Sequence, residues 1–536
     1  MTQGAPIEDQ ENSLQKFFRI AWDHFKKTSN LTKLLVFAVL ITALSCVHYL
    51  FTMINWTFPG FSLDDSWIHL QYARTIYDGT PWEYSPGYPS TGSTSPLWSL
   101  VLSSLFIFTQ KPIELVIGTY LISIVFYSFT TFLVGYIVNE YTGKLSYAVC
   151  GMIGFVIMPR TTWLMLSGME TPIFLFLLIL GVALLDKTDI KYDPIIGVVV
   201  GLAFLSRPEG AILALFVLIR FLMLDYEELV DWKRWISLII TGALALLVVS
   251  PWIFHCLSTT GLPLPDTFYA KVHPPTEDQI NAWRFWWNYW LIEYFFIMIG
   301  GILGIALVVE KKPFTWLLAV GLVLLYRLNV PYASLINNAR YLVPVFSFFL
   351  ITAIASIAKI TPYILQYEAK LENPLDRELI TLLFLIFLMI VPLLPEYVHQ
   401  ADFYGNSVKN INEQQVYIGY WLANNTPQDA VLAIHDAGAI RFISNRTVID
   451  LAGLVSPDII HGNMSTIELL YYLREQGCNY FVFFNELMLY YQILLGAGVT
   501  IKLTVHLDDN VISGRDTMSV YHVNWSKVTI LDYYYP

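Results

Sequence analysis

Apolar runs of roughly 15 to 27 residues recur along the chain from Leu34 to Pro395, each closed by a short polar stretch. A bilayer core about 30 Å thick asks for about 20 apolar residues of helix, so each run is a candidate span. The pattern predicts spans near 33–53, 113–138, 145–159, 171–186, 194–206, 209–224, 235–256, 286–309, 314–329, 341–359 and 379–395, about eleven in all. From about residue 399 the texture changes to short strand-like and helix-like segments with ordinary turn residues between them. Three parts are expected: a cytoplasmic N-terminal segment (1–32), a membrane body (33–398) and a soluble α/β domain (399–536). Residues 1–32 are too polar to read as a cleavable signal peptide.

One run, Pro96 to Phe108, fits either a short span or a helix lying on the bilayer surface, and lysine counting decides between them. If it does not cross, the loops holding Lys144, Lys187 with Lys191, Lys233 with Arg234, Lys311 with Lys312, and Lys370 with Arg377 all fall on the side of the N-terminal segment. That is the positive-inside pattern. The run is therefore expected to be juxtamembrane, with the N-terminus inside and the C-terminal domain outside a cytoplasmic (inner) membrane. The expected fold is a polytopic α-helical membrane protein carrying a C-terminal α/β extracytoplasmic domain.

Composition agrees. Of 536 residues 56% are hydrophobic and only 14% charged, against about a quarter charged in an average soluble domain. The net charge of −11 excludes nucleic acid as an expected partner, because phosphate neutralisation needs a basic face. Four scattered cysteines (Cys46, Cys150, Cys256, Cys478) match neither a disulfide framework nor a zinc knuckle.

With that topology, five polar motifs fall on the external face: DDSW (64–67), PRTTWLMLSGMET (159–171), SRPEG (206–210), LPDTFYAKVH (264–273) and NNARYLVP (337–344). Ionisable residues at span ends are costly unless paired or wet, and they mark functional pathways. Any one arginine could simply snorkel, but convergence of all five predicts a shared wet cavity. A carboxylate pair opposite several cations suits a substrate with an anionic head and a greasy tail, such as a polyprenyl phosphate. An aspartate beside the anomeric carbon would accept the proton of an incoming hydroxyl.

The ordered motifs, from the DD of the first external loop through GSTSPLW, SGMETP, LSRPEG, LPDTFYAK and RYLVP, resemble the membrane glycosyltransferases of the GT-C superfamily. The branch of the mycobacterial terminal arabinofuranosyltransferases is the nearest in these motifs, and HDAGAIRFISNRTVIDLAGLVSPD in the tail resembles that branch's extracytoplasmic domain. The resemblance implies a polyprenyl-phosphate-linked sugar as donor, inversion at the anomeric centre, a glycan, lipid or protein acceptor in the cell envelope, and an aspartate of the first external loop as base. It also implies a juxtamembrane helix over 96–109, in agreement with the lysines. The branch reads PNT where this chain has Pro265, Asp266 and Thr267, so the sugar is not carried over. A divalent metal is left open. A transporter or flippase for a lipid-linked sugar is the rival reading, disfavoured by the lack of self-similar halves.

The resemblance favours Asp64 as base, with Asp65 orienting acceptor or metal; alternatively the pair only favours a helix dipole starting near Ser66. Arg74, nine residues or about two and a half turns from Asp65, is expected on roughly the same face of a continuous helix, or else paired with Asp78. Arg74, Arg160, Arg207, Tyr269, Lys271, His273 and Arg340 are the expected contacts for the donor phosphate. Glu170, Glu209 and Asp266 are expected toward sugar or acceptor, with an Arg160–Glu170 pair or an Arg207–Glu209 pair as structural options. In the tail, strand, helix and strand alternate as in a parallel sheet, and His435 and Asp436 stand at a strand end where either a site or a turn is built.

Overall fold

The helices of the membrane body begin and end where capping chemistry allows. Ser29 accepts from Thr32 N ahead of the first long helix, Asn30–Trp56, prolines open Pro112–Thr142 and Pro374–Met389, and left-handed Gly143 and Gly261 close Pro112–Thr142 and Trp232–Thr260. A computed structural model of the chain describes residues 27–187, 189–223, 230–271, 292–308, 313–329 and 336–528. Among the described residues five helical segments are long and apolar enough to cross a membrane: Asn30–Trp56, Pro112–Thr142, Trp232–Thr260, Asn337–Tyr367 and Pro374–Asn425. The remaining predicted spans are matched by shorter helices, Leu145–Ile157, Thr171–Leu185, Asp193–Ser206, Ile212–Leu222, Phe295–Val308 and Pro313–Asn329. The start of the predicted 286–309 span lies outside the described residues.

Lipid gives little hydrophobic drive between helices, so association depends on close approach at small residues. Two pairs show this. Asp193–Ser206 lies on Trp232–Thr260, where a Cβ added at Gly197 would sit 2.4 Å from the Thr241 carbonyl oxygen. Phe295–Val308 lies on Leu342–Tyr367, where a Cβ at Gly304 would sit 2.4 Å from the Thr352 carbonyl oxygen.

The two ends of the bundle differ in kind. At one, Lys144 Nζ meets Glu378 at 2.7 Å and Lys187 Nζ meets Glu140 at 3.3 Å, joining loops that lysine counting put inside. At the other, Asp65–Tyr77, a short hairpin (β1, Glu83–Ser85; β2, Tyr88–Pro89) and Pro96–Ser103 with its 3-10 continuation to Ile107 form a cap. The 96–107 segment, expected to be juxtamembrane, packs against Asp65–Tyr77 as a separate short helix.

The C-terminal domain holds a five-stranded sheet in the order β4-β3-β5-β7-β6, with β3 at Val431–Ile434, β4 at Thr447–Asp450, β5 at Cys478–Phe484, β6 at Val499–His506 and β7 at Thr517–Val523. Only β4, β3 and β5 are parallel; β5–β7 and β7–β6 are antiparallel. The strands that the sequence pattern read as parallel, β3, β4 and β5, are parallel; β6 and β7 were not part of that reading, and the ten-residue connection between them, residues 507–516, has no crossover helix, so they pair antiparallel. The change of texture near residue 399 coincides with no break in the helix that joins this domain to the bundle. Leu394–Ile411 continues through Asn412–Val416 into Tyr417–Asn425, and side chains as far as Val416 belong to the core of the body, whereas Ile418 and Leu422 join the sheet. All four cysteines are free and buried.

Replacing Gly304 by Val should overpack that crossing and lower the thermal midpoint of the detergent-solubilised protein by the equivalent of about 1–3 kcal/mol. Gly242→Ala, where an added Cβ meets nothing within 4 Å, should leave the midpoint unchanged or raise it slightly. Fluorescence-detected size exclusion after heating reads both.

Candidate active site

Asp64 and Asp65 begin the helix Asp65–Tyr77, and successive residues on a helix point about 100° apart. The two carboxylates accordingly face different partners. Asp64 accepts from Gly438 N and Ala439 N, each at 2.8 Å, at the start of the helix Gly438–Ser444 in the C-terminal domain. Asp65 turns into a cavity of about 360 Å³ at the mouth of the bundle, its side chain 35% exposed.

All five motifs reach that cavity, the LPDTF segment through Leu264, Thr267 and Phe268. From the turn after Ser206 come Arg207 and Glu209, from the SGMET turn Glu170, and from the NNAR turn Arg340. The SGMET turn is pinned by Ser66 Oγ donating to Ser167 O at 2.7 Å and Trp98 Nε1 donating to Gly168 O at 2.9 Å. Asn337, Asn338 and Ala339 all hold left-handed backbone, with φ of 52°, 59° and 50°, ahead of Arg340. Asparagine tolerates that region and alanine rarely enters it, so the turn is strained where it presents Arg340. Asn338 Nδ2 donating to Gln400 Oε1 at 2.7 Å steadies it.

The charges interlock. Arg207 donates through Nη1 to Glu170 Oε1 at 2.6 Å and through Nη2 to Glu209 Oε1 at 2.8 Å, with its guanidinium 4.7 Å from the Tyr341 ring centroid. His69 Nε2 lies 3.2 Å from the other oxygen of Glu170. Arg340 Nη2 reaches Asp65 Oδ2 at 3.3 Å, while its Nε and Nη1 are buried without a hydrogen-bond partner. Ile68, Met169, Phe204, Leu264, Leu325 and Leu454 supply apolar wall, the last of them from the C-terminal domain.

The remaining expected site residues lie elsewhere. Asp64 does not line the cavity. Arg74 donates to Phe442 O at 3.0 Å and stacks on the Phe442 ring, at the seam with the C-terminal domain. The helix is continuous, but nine residues are two and a half turns, half a turn out of phase, so Arg74 faces away from Asp65. Arg160 pairs with Glu293, with Nη2 2.9 Å from Oε1, and not with Glu170. Asp266 is fully buried and meets His461 Nε2 at 2.9 Å, and the Tyr269 ring lies 6.4 Å from that of His461. Lys271 ends the helix Asp266–Lys271, and His273 lies outside the described residues. His69 was not singled out from the sequence, although it stands one turn (i+4) after Asp65. Among the described residues no three His, Cys, Asp or Glu side chains converge as a metal site.

Comparisons with known proteins agree with this architecture. Residues 100–255 match the family model described as dolichyl-phosphate-mannose-protein mannosyltransferase, and residues 409–533 match one described as a domain of unknown function (DUF8728). No curated protein sequence matches the chain. Among solved structures, the Archaeoglobus fulgidus oligosaccharyltransferase in the apo form aligns with a TM-score of 0.60 at 13% identity, over 88% of this chain and 71% of that one. The archaeal oligosaccharyltransferase AglB from Archaeoglobus fulgidus, in complex with an inhibitory peptide and a dolichol-phosphate, gives 0.59 at 14% over 95% and 75%. ArnT from Cupriavidus metallidurans bound to undecaprenyl phosphate gives 0.55 at 12% over 91% and 98%. The chain is a multi-pass membrane protein that shares the GT-C fold of these structures. The resemblance read from the motifs holds at the level of that superfamily; the narrower likeness to the arabinofuranosyltransferase branch rests on the motifs alone.

The seam held by Asp64 is acid-rich. Burial pushes the Asp436 carboxyl up to about 6, against the pull of a 2.7 Å hydrogen bond from Gln415 and with the Asp65 charge adding to the rise. Burial and the facing Asp436 raise Asp64 as well, opposed by its two backbone donors. A folded-state value above the ordinary carboxylate value means that the folded protein holds the extra proton between about pH 4 and 6, so stability is greatest at the acid side and declines as pH rises through about 6. Hydrogen exchange in residues 431–450, corrected for intrinsic rates, should therefore be slower at pH 5 than at pH 7.5, and Asp436→Asn should flatten the difference.

Proposed function

We propose that the protein is an inverting glycosyltransferase that moves a sugar from a polyprenyl-phosphate donor to a cell-envelope acceptor at the external face of the cytoplasmic membrane. The observation that carries this reading is the Asp65 carboxylate sharing one cavity with a buried Arg340 guanidinium that has unused donors. Unpartnered buried N–H groups cost about 1–3 kcal/mol each, a deficit that a phosphate oxygen would remove. The apolar wall suits the first isoprene units of a lipid tail. ArnT and AglB, in the structures named above, bind undecaprenyl phosphate and dolichol-phosphate respectively, which supports a lipid phosphate as the ligand class here.

The step balances simply. The acceptor oxygen attacks the anomeric carbon from the face opposite the phosphate while Asp65 takes the hydroxyl proton. The bond from C1 to the phosphate oxygen breaks, its electron pair stays on that oxygen, and polyprenyl phosphate leaves against Arg340. His69 and Arg207 fix Glu170, which is placed to accept from sugar hydroxyls. Asp64 acts by position: by holding Gly438–Ser444 it sets the Asp65 end of its helix.

Asp65→Asn should lower transfer by roughly 10²- to 10⁴-fold, the range of a lost general base, with donor binding retained. Asp64→Asn should lose less and should speed exchange in residues 431–450. A larger loss for Asp64→Asn exchanges the two roles, and full activity of the double variant leaves a lipid-linked-sugar transporter as the better reading. Arg340→Ala should raise the donor KM more than it lowers kcat, because a contact kept from ground state to transition state is uniform binding.

A further inference from the structure

A second cavity, of about 630 Å³, lies between the hairpin β1–β2, the external end of Trp232–Thr260 and the C-terminal domain. Its wall is shared with the first. Along the first external loop, Pro89 lines the second cavity and Gly92 the first; along the domain, Val455 lines the second and Leu454 the first. The strip is tight, since a Cβ added at Gly92 would stand 2.1 Å from the Leu454 carbonyl oxygen, and Asp266 N donates to Thr91 Oγ1 at 3.3 Å beside it.

The two linings differ in chemistry. The described residues around the second cavity include no lysine or arginine, so it is not built for a phosphate. Its aliphatic wall is confined to Val448, Ile449, Val455 and three prolines, and polar and phenolic side chains make up most of the rest, unlike the apolar lining of the first cavity. What it offers is carboxylates (Glu83, Asp458), a hydroxyl (Ser258), the His255 imidazole and the phenol rings of Tyr88 and Tyr472. Tyr88 is 42% exposed, with its hydroxyl on Gln476 Oε1 at 3.1 Å, and Tyr472 donates to Asp458 Oδ2 at 3.1 Å, so both rings are anchored at the tip. Anchored aromatic rings present C–H-binding surface, and carboxylates accept from hydroxyls; together these recognise pyranose or furanose rings. Two carboxylates without a cation disfavour an acidic glycan.

We propose that this cavity binds a neutral glycan, the body of the acceptor, beside the cavity that holds the donor. The acceptor assignment rests on the transferase reading; the carbohydrate site itself does not. The test is equilibrium binding to the full-length protein in lipid nanodiscs without donor, using the neutral and the acidic polysaccharide fractions of the host cell envelope as probes. Saturable binding of the neutral fraction is expected. Tyr88→Ala should weaken it by roughly tenfold or more, as for the loss of an aromatic anchor, and Tyr88→Phe, which keeps the ring, by less than twofold. Absence of neutral-fraction binding, preference for the acidic fraction, or equal affinity for wild type and Tyr88→Ala would each overturn the proposal. Because no donor is present, a failure of binding is distinct from a failure of transfer, which is read separately with Asp65→Asn.

Discussion

The arrangement at the bundle mouth depends on one interaction, the Asp64 carboxylate on the amides of Gly438 and Ala439. A helix start leaves backbone N–H groups without partners, and an acidic side chain satisfies them while complementing the dipole. Here the acid comes from the membrane body and the amides from the C-terminal domain, more than 370 residues later in the chain. The space is matched to it: a Cβ at Gly438 would fall 2.0 Å from the Asp64 carbonyl oxygen. Once Asp64 is turned toward the domain, helical geometry turns Asp65 to the cavity, brings His69 to the same side one turn later, and sends Arg74 to the seam, where Phe442 receives it.

That geometry also explains what was legible in the sequence. The apolar helices and the meeting of the polar motifs at one end of the bundle were legible because long apolar runs and lysine asymmetry are signals that sum over many residues. Which member of a charged pair faces the cavity depends on a 100° rotation and on partners far along the chain. Nothing local distinguishes Asp64 from Asp65, because Gly438 is invisible from DDSW. Arg160 illustrates the same limit: its partner, Glu293, lies in an apolar stretch with no motif of its own. Asp266, read as a departure that could alter sugar choice, instead meets His461 of the C-terminal domain. His69 was missed although its signal, an i+4 spacing from Asp65, was available.

Within the cavity the cations are not equivalent. Arg207 lies between Glu170 and Glu209 and stacks near Tyr341, so its donors are matched by protein acceptors. Breaking such a buried pair leaves an uncompensated charge, which makes Arg207 and Glu170 a scaffold that holds the walls apart. Arg340 has a single long contact to Asp65 and two nitrogens without partners. Its burial therefore weakens the unliganded protein, and so does the left-handed run Asn337–Ala339 that delivers it. Local conflicts of this kind mark positions shaped by something other than stability. The conflict at Arg340 is of a sign that an anion relieves, and its one engaged donor touches Asp65, the carboxylate proposed as base. In the reaction proposed above, a phosphate that took up the two unpartnered nitrogens would compete with Asp65 for the same guanidinium, which ties the state of that carboxylate to donor binding.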